Sequence, residues 1–399
     1  MILMRQEANV NSDVLVWARE SINLDIDDAA KKINVKVERL RGWEAGDIRP
    51  TINQARKMAE VYHRPLAAFF LPERPTTLGF SVPHDFRRLP DEQPREFSHQ
   101  LIAELRRIQY LRNAAIELED TPPSKPEDFI GSVRIEQSPS SVAALATEWL
   151  SVPIADRESW RTEYDALNAW KVAMENLGIL VMHLNRVDVV EMRGIAIAEQ
   201  VFPLIAVNGK DSPNGRIFTL IHEFVHLMMG ATGISNLRVH ARSTTYEQRV
   251  ERFCNSVAGE VLVPTRILLS RDDVRGTSGY VNWSDARIQV LADFFKVSRE
   301  VIVRRLTIEG RATQAFYRTK RLQYKEEARA SKSPPGGPMP MSRRIIRAVG
   351  QPFLRIALDA YYRESISSSD LAELLGARLK HLPAVEMLLG GRSTLTGGD

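Results

Sequence analysis

A buried-helix pattern that carries two histidines and a glutamate limits the folds open to this chain more than any other feature. Residues 221–230 read IHEFVHLMMG, so His222 and His226 stand about one helical turn apart. At 3.6 residues per turn their imidazoles project from one face and can bind one cation. The flanking positions are apolar almost all round, which indicates a buried helix. Buried histidines without partners would be costly, and a metal ion removes that cost.

Glu223 completes the pattern H-E-x-x-H, which is typical of zinc hydrolases. A carboxylate at this position reaches the open coordination site of a zinc ion, where it can take a proton from water and pass it to a leaving amine. The alternative is a solvated helix with incidental histidines, which the apolar flanks disfavour. We predict Zn2+ as the cofactor, His222 and His226 as ligands and Glu223 as the catalytic base. Manganese and iron are the alternative metals.

A catalytic zinc site usually has three protein ligands, so a further Glu, Asp or His is expected along the chain. Glu251 begins the helical pattern ERFCNSVAGEVLVP, which ends at Pro264. Asn255 falls on the same helical face and could hold a ligand imidazole through its other ring nitrogen. Taken alone, however, a glutamate in this place reads more readily as a surface residue.

Length and composition limit the remaining choices. The chain has 399 residues, which predicts two or three domains. Cys254 is the only cysteine, so an internal disulfide and a zinc finger are both excluded. The first residues lack an apolar signal core, and no stretch reaches the roughly 18 apolar residues of a membrane span. We therefore expect a cytoplasmic protein without a membrane partner. A net charge of +4 permits a nucleic-acid partner without requiring one.

The first 75 residues have the pattern of a small all-α bundle. Two short helices, one ending near Ile33 and the next ending at Gly46, are separated by a tight turn at residues 34–36. The segment resembles a Cro/repressor-type (XRE) helix-turn-helix domain. The resemblance rests on Ala29, Ala30, Val35, Leu40, the run Trp43-Glu44-Ala45-Gly46, Pro50, Thr51 and residues 66–70.

If this domain binds DNA, the second helix of the motif would meet base edges or phosphates. The residues in question are Lys36, Val37, Glu38 and Arg41. The alternative is a solvated helix face in a small bundle. Basic residues here are nearly matched by acidic ones, so we expect weak DNA binding or a need for a homodimer. Double-stranded DNA is the predicted partner of this domain, and a protein is the alternative.

Four further regions follow. Residues 76–130 are predicted as a connector that contains a long helix from Arg95 to Leu118. Residues 131–321 carry the zinc pattern and three short apolar strands, which we predict to form an antiparallel meander within an α+β domain. Residues 322–344 are charged and then rich in proline and glycine, which predicts a flexible linker. Residues 345–391 are predicted as a small helical C-terminal region.

Beyond the zinc pattern, the chain resembles the ImmA/IrrE family of metallopeptidases, whose hallmark is F-T-x-x-H-E-x-x-H followed by E-x-x-A-N-x-F-A-x-x-L-L-x-P. The matching residues are Phe218, Thr219, His222, Glu223 and His226, then Glu251, Cys254, Asn255, Val257, Ala258, Leu262 and Pro264. Gly194 and residues 205–208 extend the likeness upstream. The resemblance implies a zincin-like domain with His222, His226 and Glu251 as zinc ligands. It also implies a protein substrate, commonly an XRE-type repressor.

Two positions depart from the family pattern. Cys254 replaces alanine and Val257 replaces phenylalanine. We interpret both as buried apolar positions, and the alternative for the thiol is a fourth ligand or a redox brake. The segment before the Glu251 helix holds Tyr246, His240 and Arg242, each a candidate to stabilise an oxyanion.

The leading hypothesis is a zinc-dependent regulatory endopeptidase with a fused DNA-binding or dimerisation module. The second is a DNA-binding transcription regulator whose metal-binding domain senses a signal and cleaves nothing. A third is a toxin–antitoxin or phage-immunity partner that acts by binding alone.

Overall fold

The computed structural model describes residues 7–62, 64–75, 97–119, 129–230, 245–277, 279–330 and 339–390. The chain divides into two compact units. The first comprises residues 1–82 and 91–110, and the second comprises residues 83–90 and 111–399. The predicted fold class is confirmed, because a helical bundle is followed by a helical domain with a small sheet and by C-terminal helices.

The first unit is the predicted helix-turn-helix bundle. Its helices are α1 (Ser12–Glu20), α2 (Ile26–Ile33), α3 (Val37–Ala45) and α4 (Ile52–Tyr62), followed by a 3-10 helix (Leu66–Phe70). Asp25 caps α2 by accepting from the backbone N–H groups of Asp27 and Asp28. Asn34 then adopts a left-handed conformation (φ 64°), which ends α2 and sets the direction of α3.

Apolar packing and one ion pair hold this bundle together. Trp43, Tyr62 and Phe69 are fully buried in its core. Arg19 of α1 pairs with Glu44 of α3 at 2.7 Å, and both side chains are largely buried. Glu44 therefore pairs inside the bundle, although it lies on α3, the helix that carries the predicted DNA-binding residues.

The second unit surrounds a three-stranded sheet with helices. Helix α5 (His99–Leu118) spans the division between the two units. The later elements are α6 (Pro139–Leu150), α7 (Ile154–Arg157), α8 (Glu163–Asn176), β1 (Leu180–Leu184), β2 (Gly194–Ile197), β3 (Leu204–Asn208), α9 (Pro213–Met228), α10 (Thr245–Leu262), α11 (Thr265–Ser270), α12 (Asp285–Phe295), α13 (Arg299–Ile308), α14 (Gln314–Ala330), α15 (Met341–Val349), α16 (Gln351–Tyr362), α17 (Ser368–Leu375), a 3-10 helix (Leu379–His381) and α18 (Leu382–Gly390).

All three predicted strands form, but the predicted antiparallel meander is wrong. The strand order is β1-β3-β2, with β1 parallel and β2 antiparallel to β3. A meander would follow chain order and leave β3 at an edge. In the structure β3 is hydrogen-bonded along both edges, and every residue of the three strands is buried. Short apolar runs indicate strands but do not encode their order in a sheet.

The bounds of the flexible linker predicted for residues 322–344 are corrected at both ends, because α14 continues to Ala330 and α15 begins at Met341. Polar contacts hold α14 in place: Lys320 lies 2.8 Å and the Tyr324 hydroxyl 2.9 Å from the Asp285 carboxylate of α12. Glu327, one of the charged residues that suggested a linker, also pairs with Arg299 of α13. Residues 331–338 lie outside the described part of the chain.

The C-terminal helices belong to the second unit, where α15 and α16 pack against β1. Gly350 joins these two helices with φ 80°. A Cβ at this position would stand 2.6 Å from the Val181 carbonyl oxygen, so the contact requires glycine. Among the described residues, no helix is both long and apolar enough to cross a membrane.

Candidate metal centre

Helix α9 brings the H-E-x-x-H residues into the interior of the second unit. Ser212 caps the helix by accepting from the Gly215 N–H at 3.1 Å, and Pro213 occupies its first turn. All residues from Arg216 to Met228 are buried. The exposed fraction is 0% for His222, 1% for Glu223 and 1% for His226, so the predicted buried helix is confirmed.

Helix α10 packs against α9 and places Glu251 beside the two histidines. The Nε2 atoms of His222 and His226 lie 3.1 Å apart. One Glu251 carboxylate oxygen lies 3.1 Å from Nε2 of His226, and the other lies 3.4 Å from Nε2 of His222. These three residues form a group able to hold a metal ion. The Glu251 side chain is 32% exposed, so the group is open to solvent on one side.

The donor atoms fit a zinc ion by type and by spacing. Two imidazole nitrogens and one carboxylate oxygen are a common ligand set of catalytic zinc. Zinc bonds of about 2.0–2.1 Å in a tetrahedral arrangement separate ligand atoms by about 3.3 Å. The separations of 3.1 Å and 3.4 Å lie on either side of this value.

The charge state of Glu251 suits the same role. Burial by itself raises the pKa of this carboxyl, but the adjacent imidazoles of His222 and His226 lower it more, so its pKa falls well below the usual range. Glu251 is therefore a carboxylate at neutral pH and ready to bind a cation.

Glu223 lies on the same helix but is not one of the three converging residues. Its carboxylate lies over Gly194, the first residue of β2. A Cβ built on Gly194 would stand 2.9 Å from Glu223 Oε1 and 2.3 Å from the Thr219 methyl group. The close approach of β2 to α9 therefore depends on glycine at this position.

The other predicted site residues have different outcomes. Asn255 is half-buried, and its Oδ1 is buried without a hydrogen-bond partner in the described part of the chain. Its role in holding a ligand imidazole therefore stays a prediction. Tyr246 lies on α10 with 49% of its side chain exposed. His240 and Arg242 lie outside the described residues.

Cys254 is fully buried on α10, and its Sγ lies 3.7 Å from Sδ of Met229. The thiol is not a member of the three-residue group described above. This packing agrees with the interpretation of Cys254 as a small buried apolar residue.

The predicted DNA-binding residues occupy the start of α3. Lys36 is the N-terminal cap residue of that helix, and Lys36, Glu38 and Arg41 are exposed. Val37 instead packs partly against the core of the bundle. The sequence interpretation omitted Arg39, which is exposed on the same helix with its guanidinium 5.8 Å from the Trp43 ring centroid. The sequence signal for Arg39 was a basic residue next to Glu38 in the same helical pattern.

Comparison with known families agrees with both sequence resemblances. Residues 174–307 match the Peptidase_M78 family, described as the IrrE N-terminal-like domain. Residues 15–69 match a helix-turn-helix family. No curated protein matches the chain. The matched ranges contain β1 to α13 and most of the first bundle, including the three converging residues. Residues 15–69 are thus similar to an XRE-type helix-turn-helix domain, and residues 174–307 are similar to a peptidase domain of the ImmA/IrrE type.

Proposed function

We propose that this protein is a zinc-dependent endopeptidase that cleaves a protein substrate, most simply an XRE-type transcriptional repressor. The observation that carries the proposal is the convergence of His222, His226 and Glu251 at 3.1–3.4 Å beside a buried glutamate. In this account His222, His226 and Glu251 hold zinc, and Glu223 is the catalytic base.

When bound there, zinc would act as a Lewis acid on the scissile carbonyl and on the attacking water. Glu223 accepts the proton of that water and later donates it to the leaving amine. Its near-complete burial keeps competing solvent away from the carboxylate. The Gly194–Thr219 contact positions the helix turn that carries Glu223, so β2 acts as its support.

The helix-turn-helix domain supports the choice of substrate. A module with exposed Lys36 and Arg41 on α3 can bind DNA on which a repressor is already bound. It can also pair with the similar domain of the repressor itself, or with a second copy of this chain. Both routes raise the local concentration of substrate at the peptidase domain. DNA binding and a cytoplasmic location are parts of this proposal.

The test uses Glu223→Gln, which keeps the size of the side chain and removes the base. Purified zinc-loaded protein is incubated with XRE-type repressors encoded near its own gene, and new N-termini are mapped by mass spectrometry. We expect cleavage by the wild type and by the control variant Glu148→Gln, which alters an exposed residue of α6. Glu223→Gln should bind zinc and cleave nothing. Equal cleavage by Glu223→Gln would refute the assigned role of this residue.

The second candidate function is a DNA-binding regulator whose metal domain senses a signal without cleavage. The exposed basic residues of α3 favour it, because they serve DNA binding whether or not the peptidase site acts. A proteome-wide screen for new N-termini separates the two. If zinc-loaded protein yields none and yet shifts its own promoter DNA, the regulator hypothesis replaces the peptidase proposal.

A further inference from the structure

A group of basic side chains lies beside β1, where α8, the start of α9 and α15 come close. This basic cluster consists of Lys171, His183, Arg216 and Arg347. Arg216 and His183 are each 4% exposed, and the Lys171 side chain is 12% exposed. Arg347 is half-buried. Lys171, Arg216 and Arg347 carry the positive charge of the cluster, and cations so far from solvent require compensation by negative charge.

The two nearby acids, Glu175 and Asp211, form their ion pairs with residues other than these two arginines. Glu175 lies 3.3 Å from Lys171 and also accepts from the Gln351 backbone N–H. Asp211 accepts from the Ser212 N–H, and its other oxygen lies 3.7 Å from Arg193. Within the described ranges, no carboxylate lies within salt-bridge distance of the guanidinium of Arg216 or Arg347. Asp211 is near enough to raise the pKa of Arg216, but burial and Arg347 lower it more, and neither guanidinium has a salt-bridge partner in the described part of the fold.

The two guanidiniums also have unused donor groups. Arg347 donates from Nη2 to the Gly209 carbonyl at 2.6 Å, and its own carbonyl accepts from His183 Nδ1 at 2.8 Å. The Nε groups of both Arg216 and Arg347 are buried and meet no acceptor among the described residues. Buried N–H groups of this kind are rare in folded proteins unless a ligand or ordered water accepts from them.

Tyr164 lies between the basic cluster and solvent. The Arg216 guanidinium lies 5.9 Å from its ring centroid, and 53% of this tyrosine is exposed. The Tyr164 hydroxyl affects the pKa of both Arg216 and Arg347, so it lies near both. A small ligand can thus approach past Tyr164 and the exposed part of Arg347.

Burial and mutual repulsion lower the pKa values of the cluster. Burial, followed by the neighbouring Arg347, lowers the pKa of Arg216 to about 10. Burial, followed by Lys171, Arg347 and Arg216, lowers the pKa of His183 well below its usual value. A bound anion would offset both effects.

We propose that the basic cluster binds a phosphate-type dianion between Arg216 and Arg347, with the Tyr164 hydroxyl as a further donor. Two guanidiniums that lack a salt-bridge partner among the described residues match two negative charges, and the planar guanidinium fork fits phosphate oxygens well. Arg216 also lies in the first turns of α9, where the helix dipole favours an anion.

The position of this site suggests an effector role. Arg216 lies six residues before His222 on the same helix, and Arg347 lies on α15. A ligand held by both arginines would join the C-terminal helices to the helix that carries the candidate metal ligands. Phosphate binding here does not depend on peptidase activity, because it is measured through binding and thermal stability alone.

The experiment measures the melting temperature of the full chain in sodium phosphate and in sodium chloride at equal ionic strength. For the wild type we expect a saturable rise of about 5 °C at about 100-fold excess over the Kd. Arg216→Met should lose this rise. In chloride it should melt at or above the wild-type temperature, because an uncompensated buried charge has been removed. The wild type should therefore have the higher melting temperature in phosphate, and Arg216→Met should have an equal or higher melting temperature in chloride.

Two further variants keep the proposal open to refutation. Tyr164→Phe alters an exposed side chain, so its folding is secure, and it should weaken phosphate binding about tenfold by calorimetry. The matched control is Arg343→Met, an exposed arginine on α15, which should retain the full phosphate effect. The proposal is overturned if phosphate does not stabilise the wild type, or if Arg216→Met keeps the same rise. Tighter binding of a nucleoside monophosphate than of inorganic phosphate would identify an organic phosphate as the source.

Discussion

Replacing Gly194 with alanine should damage the candidate active site while leaving the candidate metal ligands in place. The new methyl carbon would stand 2.3 Å from the Thr219 methyl and 2.9 Å from Glu223 Oε1, whereas ordinary contacts begin at 3.4 Å. Relief of the first contact requires a movement of about 1 Å between β2 and α9. Such overpacking costs about 1–3 kcal/mol of unfolding free energy. A shift of about 1 Å in Glu223 should lower kcat/KM by about 100-fold.

The assay combines chemical denaturation, zinc content and cleavage of the repressor substrate. Zinc content should remain near the wild-type value, because the atoms nearest to the new methyl belong to Thr219 and Glu223 and not to the three candidate ligands. A rescue variant tests the cause: Thr219→Ser removes the clashing methyl, so Gly194→Ala with Thr219→Ser should regain most of the lost stability. Wild-type stability and activity in Gly194→Ala alone would refute this account. Failure of Thr219→Ser to rescue stability would place the damage elsewhere.

Three other predictions concern separate parts of the molecule. Lys36→Ala and Arg41→Ala should each weaken DNA binding at all sequences. Each should also reduce the slope of log affinity against log salt concentration by about one, which corresponds to one phosphate contact. Lys57→Ala on α4 is the control, and unchanged binding in titrations of the first two variants would exclude α3 as the DNA-binding helix. Hydrogen bonds from Lys320 chiefly, and from Tyr324 and Gln323, lower the pKa of Asp285. The stability they add is present above the unfolded value of 3.8 and is lost as pH falls through the folded value. Acid titration of unfolding should therefore be steeper for the wild type than for Asp285→Asn, and equal slopes would contradict the assignment. Cys254→Ala should keep full zinc content, and loss of zinc by mass spectrometry would make the thiol a ligand.

Periodicity and residue chemistry predicted the helix with His222 and His226. Histidines in an otherwise apolar helix are costly to bury without a partner, and a metal ion removes that cost. Glu251 was different. A single glutamate in a helical pattern looks like a surface residue, so its selection depended on family resemblance. In the structure α10 packs on α9 and the Glu251 carboxylate faces both imidazoles, a contact between separate helices that the local sequence pattern does not specify.

Other features could not be read from the sequence because they depend on contacts between distant segments. The order of the three strands depends on which strand has both edges paired, and local patterns do not specify this. The predicted linker extended too far, because residues 322–330 continue α14, whose charges contact Asp285 and Arg299. The repulsion between Arg216 and Arg347 could not be predicted either, because the two arginines are far apart in the chain.

The central claim is that His222, His226 and Glu251 together bind zinc. It is tested most directly by elemental analysis of the wild type, Glu251→Ala and Glu223→Gln, each purified in the same way. We predict about one zinc ion per chain in the wild type and in Glu223→Gln, and near-complete loss in Glu251→Ala after dialysis against a chelator. Stoichiometric zinc in Glu251→Ala would contradict the assignment of Glu251 as the third ligand and with it the proposed site.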